Sequence, residues 1–431
     1  MKQDHIVNVA LIGAGGMGMG VVNNLKPFED VRVIAVADPA AHYQDDFFYK
    51  RPVGRDVAVA DYTDFYGQRF PGFVCHGYED FRIMLDQEPD IDACIVATPD
   101  HLHAYASVYC MRRGKHVYCE KPLAHSIREA RWMAQVAAET GVKTQMGNLG
   151  HARDGMREAI EIIRSGALGT ILEAHAWVPA CRWHKGMTAV PTDPSPIPEG
   201  FNWDLWLGPR PFRPYNDAYH PVRWRDFWTF GLGAIGDFVC HDLDLACWAL
   251  DLVSPTTVEA LQAGKTSPEL TPHAEICRYR FARPGQPDLN VTWWDGGLRP
   301  QTPPCWPDDR EWPRRGSLFI GTKAIMLSPD LGGKPEVYSD APDFSFTPPP
   351  ATLPRSVGHH REWIDAILGG QPAGAEFGYA ARLTELALLG VVAIRTGKRF
   401  HWNHDTMTAE GVPEADDIIN GEPYRDGWQL R

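Results

Sequence analysis

The sequence predicts an α/β protein in two parts: a doubly wound parallel sheet over residues 1–148, then an α/β domain over 149–431 whose sheet is open and largely antiparallel. Three observations predict it. A β-rich run closes on Gly13-Ala14-Gly15-Gly16-Met17-Gly18 at the start of a helix. Strand and helix patterns alternate through the first ~150 residues. Beyond them, runs with period-two alternation take over. At 431 residues the chain exceeds what one core serves, which agrees with two domains.

Residues 7–12 suit a central strand buried on both faces. The glycines that follow answer three demands: a tight turn, close approach of backbone to a pyrophosphate, and close packing of helix on strand. The helix, running to about residue 26, presents free amides and a positive dipole end to that pyrophosphate. A second strand, 31–37, ends in Asp38, twenty residues after Gly18. An acid there is placed to bond the adenine ribose hydroxyls, and its charge disfavours a 2′-phosphate. This order predicts a dinucleotide site built on Gly13, Gly15, Gly16, Met17, Gly18 and Asp38, with NAD preferred to NADP. Lys50, Arg51 and Arg55 bear on that preference, since they lie in the stretch 39–74, read as a helical insertion near the adenine end.

Residues 78–85 read as helix and 91–97 as the next buried strand, which ends in Thr98-Pro99-Asp100-His101-Leu102-His103. Polar residues at the tip of a third parallel strand point toward the cofactor cleft, so Thr98, Pro99, Asp100 and His103 are candidate cofactor contacts. His101 and His103 face different directions at a helix start, and capping and cleft lining fit them better than metal ligation. Helix 104–113 leads to strand 114–118 and to Tyr118-Cys119-Glu120-Lys121-Pro122-Leu123. Ligands of parallel sheets lie outside the carboxyl ends of the strands, which aims Lys121 at a ligand. Helix 126–140 and strand 142–146 continue the alternation.

After Gly147 the pattern changes. Helix 152–164 precedes alternating strands at 172–178, 257–261, 275–281, 289–294 and 317–321. Between them run proline- and tryptophan-rich loops, 179–200, 208–228, 296–315 and 340–354. Loops of that length build a binding site or a subunit contact. Helices 358–368 and 378–395 are expected to pack back between the domains.

Apolar content of 44% with 23% charged residues is that of an ordinary globular protein. A net charge of −13 disfavours nucleic acid and anionic membrane surfaces as partners. No uninterrupted apolar segment approaches ~20 residues, so no bilayer span is expected. The N-terminus carries no apolar secretory region. Nine cysteines, never spaced Cys-x-x-Cys, argue against a disulfide framework and for a reducing, cytoplasmic setting. No His-Glu-x-x-His run or similar spacing suggests a metal site.

One further stretch carries chemistry, Gly236-Asp237-Phe238-Val239-Cys240-His241-Asp242-Leu243-Asp244. On a helix, Asp237 and His241 share a face. A carboxylate one turn from an imidazole can fix its tautomer and stabilise its charged form, as a general acid/base histidine needs. The alternative is a helix start with acids favouring its dipole and a locally bonded histidine. Asp242 and Asp244 fit structural roles better.

Taken together, the glycine turn, Thr98-Pro99-Asp100, Glu120-Lys121-Pro122 and Asp237-x-x-x-His241 resemble the Gfo/Idh/MocA family, the glucose–fructose oxidoreductase and inositol dehydrogenase group. The likeness covers most of the chain, in order. It implies an N-terminal Rossmann domain and a C-terminal sheet that commonly forms the oligomer interface, hence a homo-oligomer, dimer or tetramer. By the same likeness Lys121 touches both nicotinamide and substrate, Asp237 and His241 complete a catalytic triad with it, and Glu120 holds the nicotinamide ribose. The expected reaction is oxidation of a secondary hydroxyl of a sugar, glycoside or polyol. His241 takes the hydroxyl proton, hydride passes to the nicotinamide, and Lys121 stabilises the developing alkoxide; Lys121 as the base is the alternative.

The chain departs from simpler members in its long loops and in His151 at the domain junction, an extra substrate contact or a structural histidine. Fifteen tryptophans are many, and those on the loops, Trp183 among them, can stack on a pyranose where they do not pack the core. His220, Arg225 and Asp295 are candidate partners for sugar hydroxyls.

Two other readings stay open. Some relatives in this superfamily oxidise a sugar C3 hydroxyl transiently, lose a glycosidic bond by elimination and restore the alcohol, so that the product is a glycosidase's. A non-catalytic dinucleotide-binding sensor would keep the fold but not need Lys121, Asp237 and His241, all of which are present.

Overall fold

The computed structural model describes residues 6–46, 48–263 and 267–430. The N-terminal sheet holds β1 (Val7–Ile12), β2 (Val31–Ala37), β5 (His76–Tyr78), β6 (Ala93–Val96), β7 (His116–Cys119) and β8 (Thr144–Met146), while β3 (Tyr43–Asp45) and β4 (Arg51–Val53) form a separate hairpin. The order β5-β2-β1-β6-β7-β8 is parallel throughout. This is the Rossmann order, and strand direction of travel reverses between β1 and β6, so the ligand crevice is fixed outside their carboxyl ends. The β-branched strands bury both faces. In β1, Val7, Val9 and Leu11 enter one core while Ala10 and Ile12 enter the other.

Helices α1 (Gly16–Leu25), α2 (Arg55–Gly67), α3 (Phe81–Gln87), α4 (Asp100–Met111) and α5 (Ile127–Thr140) belong to this half of the chain. α5 has clear boundaries in its sequence. Ser126 and Glu129 form a reciprocal capping box, and Gly141, at φ +68°, closes the far end.

One expectation here is corrected, and one strand lay unseen in the sequence. The stretch 39–74 is helical only in α2, and the hairpin β3–β4 comes first. Its neighbourhood is pinned across the molecule, with Asn202 N donating to Pro39 O at 2.8 Å and Ala41 N to Gly200 O at 2.8 Å. The edge strand β5, three residues long, was hidden in sequence because so short a run shows no period.

The second sheet holds β9 (Ile171–Trp177), β10 (Thr257–Ala263), β11 (Ala274–Phe281), β12 (Leu289–Trp294), β13 (Gly316–Gly321), β14 (Ile325–Pro329), β15 (Glu336–Tyr338), β16 (Phe400–Asn403) and β17 (Thr408–Glu410). Its order is β15-β14-β13-β9-β12-β11-β10-β16-β17. Every pair is antiparallel except β9 with β12. The sheet is thus mixed, and largely antiparallel as the alternation predicts. In β11, Cys277, Tyr279 and Phe281 point inward while Arg278 and Arg280 are exposed.

The other helices are α6 (Asp154–Arg164), α7 (Trp203–Leu207), α8 (Gly233–Asp242), α9 (Asp244–Ala249), α10 (His359–Ile367), α11 (Phe377–Thr396) and α12 (Asp416–Asn420). α10 returns to the N-terminal half, where Trp363 and Ile364 join the core of Val7 and Val9. α11 packs against α5, α8 and β10. With 20 residues and mean hydropathy 1.5, α11 is, among the described residues, the one helix long and apolar enough to cross a membrane. Its position explains that character, since 83% of the apolar window is buried inside the protein.

Candidate active site

A cleft lies at the carboxyl ends of the parallel strands, where the strand order puts it. From the first βα turn it is lined by Gly13, Gly15, Gly16 and Met17, with Asp38 from the end of β2. From the β6 and β7 tips it takes Thr98, Pro99, Asp100, His103, Glu120 and Lys121, and the second half of the chain adds His220 and Arg225.

The turn requires its glycines. Gly13 has φ +96°, and a β-carbon there would lie 2.6 Å from Ala97 O. At Gly18 it would lie 2.0 Å from Gly13 O, so this glycine serves helix–strand packing and does not line the cleft. At Gly16 it would meet the Tyr49 ring at 2.1 Å. No side chain caps the start of α1, which leaves its first amides for an anionic group. These residues fit a dinucleotide.

Asp38 accepts from Ala14 N at 2.6 Å and Ala40 N at 2.8 Å. Burial pushes its carboxyl up to about 6, against the pull of those two amides. A carboxylate has roughly four lone-pair sites, so capacity remains for ribose hydroxyls. The nearby arginines are engaged. Arg51 donates to Gly16 O at 3.0 Å, and Arg55 donates to Asp38 O at 3.0 Å while pairing with Asp56 and Glu79.

His103 joins two turns of the site, its ring nitrogens facing Pro122 O at 2.7 Å and Thr98 O at 2.9 Å. Burial lowers its pKa to about 4, so the ring is neutral and donates to one of these carbonyls at a time. Glu120 lies on the backbone of Gly147, where a β-carbon would come within 2.6 Å of its Oε1. Burial raises its carboxyl to about 7 although the Lys121 ammonium opposes this.

The centre of the arrangement is Asp237 on α8. One oxygen accepts from Lys121 Nζ at 3.1 Å and from Arg225 Nε at 3.1 Å. Asp237 is 6% exposed, and burial favours its neutral form. The charges of Lys121 and Arg225 outweigh burial and hold the carboxyl below its ordinary value. Asp100, in the first turn of α4, is raised to about 8 by burial and then by the charge of Asp237. At the cleft wall a carboxylate thus bridges two cations, and its charge, after burial, raises the carboxyl of Asp100.

Here the structure corrects the sequence reading. Asp237 does not orient His241; its carboxylate is taken by the two cations. His241 lies one turn further along α8, with its Nδ1 buried and unpartnered. Burial, then the charges of Lys121 and Arg315, hold its pKa well below the ordinary value, so the imidazole is neutral. Asp242 takes the Arg315 guanidinium through two bonds of 2.7 Å, a structural pairing.

Five expected substrate contacts, Asp237, His241, Asp295, His151 and Trp183, do not line the cleft, although Asp237 is bonded to two residues that do. Asp295 is 0% exposed and accepts from Glu275 N at 2.7 Å and Trp293 Nε1 at 3.0 Å. His151, 2% exposed, faces Asp244 at 3.0 Å and stacks on Trp248 with centroids 4.1 Å apart, so the structural junction role describes it. Trp183 is half-buried and edge-on to Phe48 at 5.2 Å. His220 does line the cleft, between Tyr43 at 4.5 Å and Phe201 at 4.6 Å, and burial lowers its pKa to about 3.

Sequence reasoning missed Tyr43, Tyr49 and Trp206, which also line the cleft, as does Trp224, one of the loop tryptophans expected to be able to stack on a sugar. The tyrosines ride on and beside the β3–β4 hairpin. The available signal was the aromatic content of that insertion directly after β2.

Comparisons with known proteins match these features. Residues 7–148 match the profile of the oxidoreductase family with NAD-binding Rossmann fold, and 156–280 match that family's C-terminal alpha/beta domain. A 2,7-anhydro-N-acetylneuraminate hydratase of Mediterraneibacter gnavus is 28% identical over 170 residues, 39% of this chain and 39% of that protein. A glycosyl hydrolase family 109 protein 2 of Shewanella sp. strain ANA-3 is 29% identical over 185 residues, 42% of this chain and 37% of that protein. The matches therefore span about two fifths of the length of these curated relatives. Among solved structures, the WlbA dehydrogenase of Bordetella pertussis, in complex with NADH and UDP-GlcNAcA, shares the fold with a TM-score of 0.63 at 16% identity, covering 93% of this chain and 99% of that one. With both halves matched in order, the chain belongs to the Gfo/Idh/MocA oxidoreductase family.

Proposed function

We propose that the protein is an NAD-dependent oxidoreductase acting on a secondary hydroxyl of a sugar, glycoside or polyol. The observation that carries this reading is the 3.1 Å ion pair of Lys121 with Asp237 at the end of the glycine-lined cleft. A nicotinamide cofactor held by the glycine turn and Asp38 supplies the hydride acceptor when bound. Glu120, beside Lys121, would hold its ribose. Lys121 Nζ donates to the substrate hydroxyl oxygen and stabilises the negative charge that develops there. Asp237 keeps that ammonium in place, and Arg225 shares its charge. His241, one turn beyond Asp237 and held neutral by burial, is in the protonation form a general base needs. The engaged donors of Arg51 and Arg55, with Asp38 at the ribose end, support NAD over NADP. A homo-oligomer built through the nine-stranded sheet goes with this reading, and light scattering of the eluted protein checks it.

A second reading is favoured by the relatives, one named a hydratase and the other a glycosyl hydrolase. In it the substrate is oxidised only transiently, a neighbouring bond is eliminated, and the alcohol is restored. One experiment separates the two: incubation with NAD and a panel of free sugars and aryl glycosides, following reduced cofactor and released product together. Reduced cofactor forming one-for-one with product supports the dehydrogenase. Aglycone released without its accumulation supports the second reading. Product formation that ignores Lys121→Met sinks both.

A further inference from the structure

A second pocket, of about 500 Å³, opens between the segments 208–213 and 228–232, the carboxyl end of α11, and α12. It shares no lining residue with the glycine-lined cleft. Arg210, 1% exposed, forms part of its wall. One terminal nitrogen of that guanidinium donates to His125 Nδ1 at 2.9 Å, while Nε finds no acceptor. His125 supplies no negative charge, since an imidazole is neutral or cationic and burial, then the Arg210 charge, keep this one neutral. Among the described residues no carboxylate pairs with Arg210. A buried guanidinium without an anion is costly, and an unpartnered donor in such a place asks for an explanation.

The charges nearer the mouth are arranged differently. Arg213 faces Glu269 across 3.7 Å, and Arg395 lies over the Trp228 ring at 5.7 Å. The carboxylates of the pocket, Glu269, Asp417 and Glu422, are exposed. The mouth thus carries two arginines against three carboxylates, which stay exposed, while the buried cation behind them has no carboxylate paired with it. Trp228, Leu232, Leu388 and Val391 give the pocket an apolar side, which a bare inorganic ion would leave unfilled. The planar fork of a guanidinium matches carboxylate and phosphate oxygens alike.

We propose that this pocket is a second ligand site, distinct from the catalytic cleft, that binds a small organic anion through its phosphate or carboxylate group on Arg210. The test is calorimetric titration of the full chain, saturated with NAD so that the glycine turn does not report. The probes are inorganic phosphate, glucose 6-phosphate and citrate at constant ionic strength. One equivalent of glucose 6-phosphate or of citrate per chain is expected, bound more tightly than inorganic phosphate, and the tighter of the two identifies phosphate ester or carboxylate as the source. Arg210→Gln weakens that binding by ~10-fold or more. Arg395→Gln, at the exposed mouth, provides an arm that does not depend on the buried residue and weakens it by about threefold. Circular dichroism establishes that Arg210→Gln is folded; if it is not, the Arg395→Gln titration decides. No saturable heat with any probe, or affinities that the variants leave unchanged, overturns the proposal.

Discussion

Replacing Asp237 by asparagine tests the core of the site. The carboxylate is buried, 6% exposed, and a single oxygen serves Lys121 and Arg225 at 3.1 Å each. The substituted amide would keep an acceptor of the same shape but lose the charge, leaving two cations facing each other. Breaking a buried pair by removing one partner costs about 3–5 kcal/mol, and the retained amide oxygen puts this change at the lower end of that range. For activity, losing the group that holds a charge-stabilising donor is expected to lower kcat/KM by ~10²–10³-fold, the scale measured for removal of such a donor. Denaturant unfolding reads the first quantity, and turnover of the substrate found in the sugar panel reads the second. The pair Lys121→Met and Asp237→Asn, combined in a double-mutant cycle, should show a coupling of at least ~1 kcal/mol, since each removes half of one interaction. Additive effects, or an Asp237→Asn enzyme within about threefold of wild type while Lys121→Met is dead, would refute the view that the two groups act as a unit.

Three other outcomes are expected. Asp38 has a carboxyl raised to about 6, so below that pH it carries a proton that must leave before the carboxylate can accept ribose hydroxyls. The Kd for ADP-ribose should then rise by ~10-fold per pH unit below 6 and be flat above it, and Asp38→Asn should abolish the step in calorimetric titrations. Gly13→Ala puts a methyl group 2.6 Å from Ala97 O at φ +96°, so a loss of about 1–3 kcal/mol in denaturant unfolding is expected, together with weakened NAD binding. Ser126→Ala removes one arm of the α5 capping box and should cost ~1 kcal/mol in the same unfolding measurement, with NAD affinity unchanged.

The parts legible in sequence were those with a local cause. The glycine turn, Asp38 and the tips of β6 and β7 announce themselves through backbone demands and strand ends, and the strand order then converges them on one cleft. The unread parts were short or non-local. β5 and β15 to β17 run only three or four residues, too few to show a period. The four-residue spacing of Asp237 and His241 placed them on one face of α8 but said nothing of competing partners. Lys121 and Arg225, 116 and 12 residues away, take the carboxylate instead. Asp295 and His151 look like exposed hydrogen-bonding groups in a linear sequence; tertiary packing turns both inward, one onto Glu275 N and Trp293, the other onto Asp244 and Trp248.

The most direct measurement is a single-turnover experiment, with enzyme and NAD in excess over a sugar substrate deuterated at the carbon to be oxidised, read by the absorbance of reduced nicotinamide. A reduced-cofactor signal that is slowed by deuterium and disappears in Lys121→Met, whether it persists or decays again, is what the account predicts. Substrate conversion with no such signal, or a signal of unchanged size and rate in Lys121→Met, would contradict it.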